Sequence, residues 1–512
     1  MVQATVAIAT ILVYTVVVLV LGYQGWRVGK LEVTDWVTAD RGLGIVVLLF
    51  TYAATYHSAF AFLGAAGFTY AHGLGFFLAG FLWLVISGVI VYVLGTKVWL
   101  IGKKYDYVTP SEIVEDFYDS RLLGLLVSIV MILFTFPYIA IQLMGSGIIF
   151  EIATDGLVSF ELGALFLLVV GVIYVWLGGM RSIAWTDTFQ GIFMIFAMWI
   201  AGWLFVFTAY RGPSQFWAEL AAEFPEHLTL PGPANLLDPA FYLSFAVVIG
   251  IGVALSPHII LRYYSANSPR TLKWVSVGGT AYLFLFYVPM VFLALGAVVF
   301  FPDIANPDHA IPEVLFEFTP IWFASIVVAG AIAAAMATKD AQLHAVSTLI
   351  VRDWYEPFVD PEPDQKRRTR LLQVLVLLLA IISYVVAIQD VDIIVMVTLV
   401  AFDGLAQFLP ILVGAFYWRR ASTEGAIAGF AGGVLVAAAL VFELVTLPGA
   451  FPGFVAGFYG LIVNTILFVA VSLVTEPVPE ANRQRIQGYV RYASERRWEQ
   501  GESPPEASTA DD

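Results

Sequence analysis

The 512-residue sequence contains no cysteine. Disulfides, thiol nucleophiles, iron–sulfur clusters and thiolate zinc sites are therefore excluded. Charge is scarce as well, at 12% of residues, against roughly 25% in ordinary soluble domains. Only 7 of the 25 cations are lysines, and 39 acids against 25 bases leave a formal charge of −14. That balance speaks against a nucleic-acid partner. There are six histidines and no His-Glu-x-x-His pair, and Gly145-Ser146-Gly147 lacks the full Gly-x-Ser-x-Gly elbow, so nothing marks an intramembrane enzyme. No ring of repeated charges or carbonyl filter marks a channel.

What is abundant is apolar surface, with 60% of residues drawn from AVILMFWYC. Runs of about 20 apolar residues, the length that crosses a hydrocarbon layer as a helix, recur from end to end. They predict an all-α polytopic membrane protein with thirteen spans, at about 2–25, 44–71, 74–101, 122–150, 160–178, 189–210, 240–262, 275–301, 319–351, 371–389, 391–418, 425–446 and 452–474. The first run is span-length and lacks a basic leader, so it reads as a membrane helix and not as a signal peptide. With the N-terminus outside, 22 of the 25 Lys and Arg residues fall on the inner side and only Arg211 lies in an outer loop. The positive-inside rule thus predicts an external N-terminus and a cytosolic C-terminus in the plasma membrane. The Pro-rich segment 211–239 reads as an irregular outer loop with one short helix, and the polar tail after 475 as cytosolic with a disordered, acidic tip.

Two spans look broken. The second carries Thr51-Tyr52-Ala53-Ala54-Thr55-Tyr56-His57-Ser58 followed by Gly64 and Gly67, and the seventh carries Gly250, Gly252 and Ser256-Pro257-His258. They lie five spans apart, so the five-helix blocks to which they belong enter the membrane from opposite sides. In such an inverted repeat, broken helices frame a midplane binding site. This divides the chain into a peripheral first helix and inner loop (1–43), a first repeat (44–210), the outer loop (211–239), a second repeat (240–420), peripheral spans 12 and 13 (421–475) and the cytosolic tail (476–512). The alternative reading of these small and hydroxylated residues is tight helix packing, which is also the reading of Gly425, Gly429 and Gly433.

Intramembrane ionisable residues cost about 2.5–3.5 kcal/mol each for Lys or Asp on insertion scales, and by default mark function. The ninth span contains Lys339, Asp340 and His344 in the run Ala333 to His344, and Thr186-Asp187 follows the turn Leu177-Gly178-Gly179-Met180-Arg181-Ser182 at the inner end of the fifth. Lys339 lies 13 residues before Arg352, roughly 20 Å along a helix, too deep to snorkel to the surface. It is expected to pair with Asp187 or Asp340, either as a surrogate or modulatory cation or as a permanent lock between helices.

These motifs together identify the chain as resembling the sodium:solute symporter family, from the second span to Gly433. The resemblance rests on Ser58-Ala59-Phe60-Ala61-Phe62-Leu63-Gly64-Ala65-Ala66-Gly67, Gly178-Gly179-Met180-Arg181-Ser182, Thr186-Asp187 with Gln190, Ala337-Thr338-Lys339-Asp340-Ala341-Gln342-Leu343, and Phe416-Tyr417-Trp418-Arg419-Arg420-Ala421-Ser422-Thr423-Glu424-Gly425-Ala426. It implies a ten-helix inverted-repeat core and alternating access driven by sodium, with no organic cofactor. Pro257-His258 with Arg262, Pro137-Tyr138 with Gln142, and Tyr70 to Gly75 look most like the monocarboxylate, pantothenate and proline transporters. The family's sodium site maps to the carbonyls of Ala54, His57 and Ala334 and to a hydroxyl pair that is Ala337-Thr338 here, so one ligand is missing. A second cation site of some relatives maps to Asp187 and Asp340. Tyr56, His57, Ser58, Tyr138, Gln142 and His258 are candidate pocket groups for a small organic carboxylate. Phe60, Ala61 and Phe62 stand where the family's sugar carriers place polar side chains. A proton-coupled carrier of the same substrates is the alternative. A membrane sensor is the more distant one, because fewer than 40 residues follow position 475.

Overall fold

The computed structural model describes residues 2–29, 32–389, 394–448 and 452–495. The described residues are mostly helical, with one isolated bridge, Leu43 to Ala266, and no strand among them. Ten helices are long and apolar enough to cross a membrane, and two bent pairs bring the number to twelve. In chain order they are α1 (Val2–Val28), α2 (Ile45–Tyr56 with Phe60–His72), α3 (Leu74–Tyr105), α4 (Arg121–Ala153), α5 (Phe160–Tyr210), α6 (Pro239–Ala254 with Pro257–Ser265) and α7 (Pro269–Phe300). They continue with α8 (Ile321–Phe358), α9 (Gln365–Ala387), α10 (Ile394–Tyr417), α11 (Thr423–Val441) and α12 (Ala456–Val474).

The 51-residue α5 would be about 76 Å long if straight, more than twice a hydrocarbon layer of about 30 Å. It is broken at Gly179, whose φ of 50° and ψ of −137° lie outside the helical region. A Cβ at this position would collide with the Trp36 carbonyl, so only glycine serves. Each arm is long enough to cross, and the expected thirteen spans are reached only by counting the arms separately. The helix resumes directly after Gly179, so Met180, Arg181 and Ser182, read from sequence as part of a turn, are helical, as is the stretch from there to the expected span start at 189. Asp187 accordingly lies within a helix and is fully buried.

The two breaks foreseen in the sequence are present. The halves of α2 meet at 62° and those of α6 at 48°. The start of α2 is tied to the end of α6 by Leu43 N–H to Ser265 O at 3.0 Å and Asn267 N–H to Leu43 O at 3.0 Å. Helix α8 is buried along almost its whole length and runs seven residues past the expected end at 351. The loop 211–239 holds the helix Pro213–Glu223 and a short 3₁₀ turn. A second short connecting helix, Ala310–Phe318 between α7 and α8, was not anticipated. The start of the tail is not irregular: Glu480–Ser494 forms a helical segment from which Asn482 donates to the Asp116 carbonyl at 3.1 Å. The acidic tip, and positions 391–393 at the expected start of the eleventh span, lie outside the described residues. Gly429 and Gly433 seat α11 against Asn464 of α12, where a Cβ would come within 2.7 Å. The glycine run is helix packing, as read.

Candidate functional site

The site follows from how the break in α2 disposes of its backbone. In an unbroken helix the carbonyls of Thr55 and His57 would accept from the N–H groups of Ala59 and Ala61. Here the Ala59 N–H donates to Gln142 Oε1 at 2.8 Å, and the Ala61 N–H donates to Ser58 O at 2.9 Å. Ser58 Oγ accepts from the Phe60 N–H at 3.1 Å. Ser58 and Gln142 thus act as a cap for the second half of α2, and the two displaced carbonyls are left to turn elsewhere.

They turn toward α8. Thr338 Oγ1 lies 3.0 Å from Thr55 O, 2.9 Å from His57 O and 3.1 Å from Ala334 O. One hydroxyl proton serves one acceptor at a time, so this oxygen cluster has more lone pairs than donors. Four oxygens with a deficit of donors are what a small hard cation needs, and unwound backbone is how transporters supply them. Of the expected ligands, His57, Ala334 and Thr338 are brought together. Ala54 is buried one residue before Thr55, which supplies the carbonyl within reach of the hydroxyl. Ala337 is buried and offers no side-chain oxygen.

Asp187 is placed beside this cluster, held from two sides. Its Oδ2 accepts from Thr51 Oγ1 at 2.5 Å, Thr55 Oγ1 at 3.3 Å and Arg262 Nη2 at 3.2 Å. Arg262, on the second half of α6, also donates to His258 O at 3.0 Å. The pair therefore ties both broken helices to α5, with both side chains about 1% exposed. Lys339 does not join it. Its ammonium pairs with Asp340 Oδ1 at 2.8 Å and donates to Leu167 O at 3.0 Å, while the Tyr174 hydroxyl donates to Asp340 Oδ2. Asp187 and Asp340, which the resemblance assigns to one cation site, each hold a protein cation.

The pocket candidates divide in two. Tyr56 is within 3.1 Å of Ser87 Oγ, which donates to Gly250 O at 2.7 Å. Tyr138 donates to Ser58 Oγ at 3.2 Å, and Gln142 Nε2 donates to Tyr138 O at 2.9 Å. These four stabilise the break. His57 and His258, by contrast, have no hydrogen-bond partner at either ring nitrogen among the described residues, and neither amide atom of Gln342 has one there. Buried polar groups are almost always paired, so these three are the groups disposed to meet a polar ligand. The His57 ring lies 3.9 Å from Phe286, and Tyr138 stands 5.9 Å from His258 and 4.9 Å from Phe402. All of these residues are 5% exposed or less, so the site is closed to both sides.

Sequence reasoning missed Thr55 and Gln342 as site residues and used Arg262 only as a motif. The i, i+4 spacing of Thr51 and Thr55 on one helix face was the available signal for the first. Nothing in the sequence reveals which polar side chains end without a partner.

Comparison with known proteins agrees with this architecture. A Na⁺-coupled sialic acid symporter, solved in a substrate-bound outward-open state, superimposes with a TM-score of 0.78 over 93% of this chain and 99% of that one at 16% identity. The sodium/pantothenate symporter of Escherichia coli is 30% identical over 454 residues, 87% of this chain and 92% of that one. That of Haemophilus influenzae is 30% identical over 400 residues, 77% and 81% of the two chains. Residues 36–433 match the Sodium:solute symporter family, and the chain belongs to that family of transporters.

Proposed function

We propose that the protein is a secondary symporter that imports a small organic carboxylate, of the pantothenate, proline or short monocarboxylate type, with sodium by alternating access. The observation that carries the reading is the convergence of Thr55 O, His57 O and Ala334 O on Thr338 Oγ1 within 3.1 Å, an oxygen site created by the break in α2. A cation there bridges α2 and α8, so its arrival and departure couple to their relative movement. The unpartnered ring nitrogens of His57 and His258, set against the rings of Phe286 and Tyr138, suit a ligand with one polar end and an apolar body. A hexose, with hydrogen-bonding groups all round, does not suit that wall. Orientation follows the charge asymmetry, with the N-terminus outside and Glu480–Ser494 cytosolic.

The test is uptake by proteoliposomes of labelled pantothenate, proline, lactate and glucose, with and without an inward sodium gradient. Accumulation of one of the carboxylates only under a sodium gradient supports the reading. Glucose accumulation, or carboxylate accumulation driven by a proton gradient with sodium absent on both sides, overturns it. The proton-coupled alternative has one observation in its favour: the buried Lys339–Asp340 pair, an intramembrane ammonium of the kind that can take part in proton relays.

A further inference from the structure

We infer that Lys339 is a tethered cation occupying a second intramembrane cation cage, made by the Asp340 carboxylate, the Leu167 carbonyl and the Tyr174 hydroxyl, and that sodium enters this cage once the ammonium is removed. The functional consequence rests on the sodium-coupled reading above; the test does not. All contacts of the ammonium are to hard oxygens: Asp340 Oδ1 at 2.8 Å and Leu167 O at 3.0 Å, with the Tyr174 hydroxyl donating to the other carboxylate oxygen. A carboxylate braced by a phenol, together with a main-chain carbonyl, forms a set of oxygens that serves a sodium ion as well as an ammonium. The cage is built to admit a cation. Gly171 faces it from α5, and a Cβ at this position would collide with both Nζ and Asp340 Oδ1.

Thr338 and Lys339 are consecutive on α8, about 100° apart around the helix. Thr338 is directed at the break of α2, and Lys339 at the first arm of α5. Two cation positions therefore flank one turn of α8. An ion at Thr338 can leave with each cycle, whereas the ammonium is held by its own side chain and cannot. The protein thus carries one mobile sodium ion where an untethered cage would carry two. A permanent ion pair serving only to lock α8 to α5 predicts no sodium affinity in the cage.

The experiment counts bound sodium. Full-length wild type, Lys339→Ser and Lys339→Ser/Asp340→Asn are purified, and saturation binding of ²²Na⁺ is measured per protein. The expected result is one more ion in Lys339→Ser than in wild type, with a return to the wild-type number in the double variant. Equal numbers in wild type and Lys339→Ser overturn the inference. If Lys339→Ser is recovered folded in sodium but not in choline chloride, the dependence supports the cage. If it is recovered in neither, Thr338→Val with Lys339 intact decides, at the wild-type half-saturating sodium concentration. Loss of at least about fivefold of the bound ion is expected for a site weakened tenfold or more, and a residual full ion that vanishes with Asp340→Asn overturns the proposal. A wild type that binds no sodium refutes the sodium-coupled reading instead, and the difference between Lys339→Ser and wild type still decides the cage.

Discussion

Replacing Thr338 by Val removes one oxygen from the cluster at the α2 break and changes almost nothing else, since the two side chains are nearly equal in shape. Thr338 is fully buried, and its hydroxyl lies within 3.1 Å of three carbonyls. In the absence of the cation its proton makes one neutral hydrogen bond, worth about 1 kcal/mol net. That loss lowers the melting temperature of a chain this long by no more than about 2–4 °C. The sodium-bound state loses more, because an oxygen facing a charge contributes about 1.5–3 kcal/mol. At 1.4 kcal/mol per tenfold, that is a weakening of sodium binding by roughly 10- to 150-fold. The assay is the initial rate of substrate uptake in proteoliposomes as external sodium is varied against choline at constant ionic strength. Half-saturating sodium should rise at least tenfold, with the maximal rate at saturating sodium much less affected. Thr338→Ser, which keeps the hydroxyl, should stay within about threefold of wild type. An unchanged half-saturating concentration in a folded Thr338→Val protein would place the cation elsewhere and refute the reasoning.

Gly179→Ala should destabilise the protein by at least the roughly 1–3 kcal/mol of a strained backbone, because the collision with Trp36 adds to the strain; an unchanged melting temperature would contradict the account of the α5 break. In the segment that connects α7 to α8, burial raises the Asp308 carboxyl from 3.8 to about 6. A raised carboxyl binds its proton more tightly in the folded state, so its stabilisation is present at pH 4 and is lost as pH rises to about 6. The two-unit shift corresponds to about 3 kcal/mol. Asp308→Asn should therefore melt higher than wild type at pH 7.5 and lack the decline between pH 4 and 6, and parallel pH profiles for the two would be the contrary result. For topology, single cysteines introduced as Asn306→Cys and Asp364→Cys have no background, since the chain has no other cysteine. An impermeant reagent on intact cells should label position 306 and spare 364, and the reverse pattern would invert the orientation.

Much of the fold is legible in the sequence because a bilayer leaves few options. With no water available, every backbone group must be paired within its own segment, so length and apolarity alone place most of the crossings, and Gly and Pro clusters mark where a span is interrupted. The interruptions at His57-Ser58 and Ser256-Pro257 were readable for that reason. The Gly179 break was read as a longer turn, because a single glycine with positive φ needs no loop around it. Site legibility stopped at residue type. Thr338, His57 and Ala334 could be singled out, yet whether Thr55 or Ala54 turns its carbonyl inward depends on Gln142, 83 residues away, capturing the Ala59 N–H.

The sequence by itself determined that this chain spans a membrane, where α2 and α6 break, that no thiol chemistry is present and that an ionisable cluster is buried in α8. Its charge pattern set the expected orientation. Only the tertiary structure decided the pairings: Arg262 with Asp187, Lys339 with Asp340, and Tyr138 and Gln142 spent on the α2 break while His57, His258 and Gln342 stand unpartnered. The physical reason is one of range. Hydrophobic length and backbone breaks are local properties of 20 or so residues, whereas a buried charge takes whichever partner the packing of distant helices brings within about 3 Å, and that choice is written nowhere along the chain.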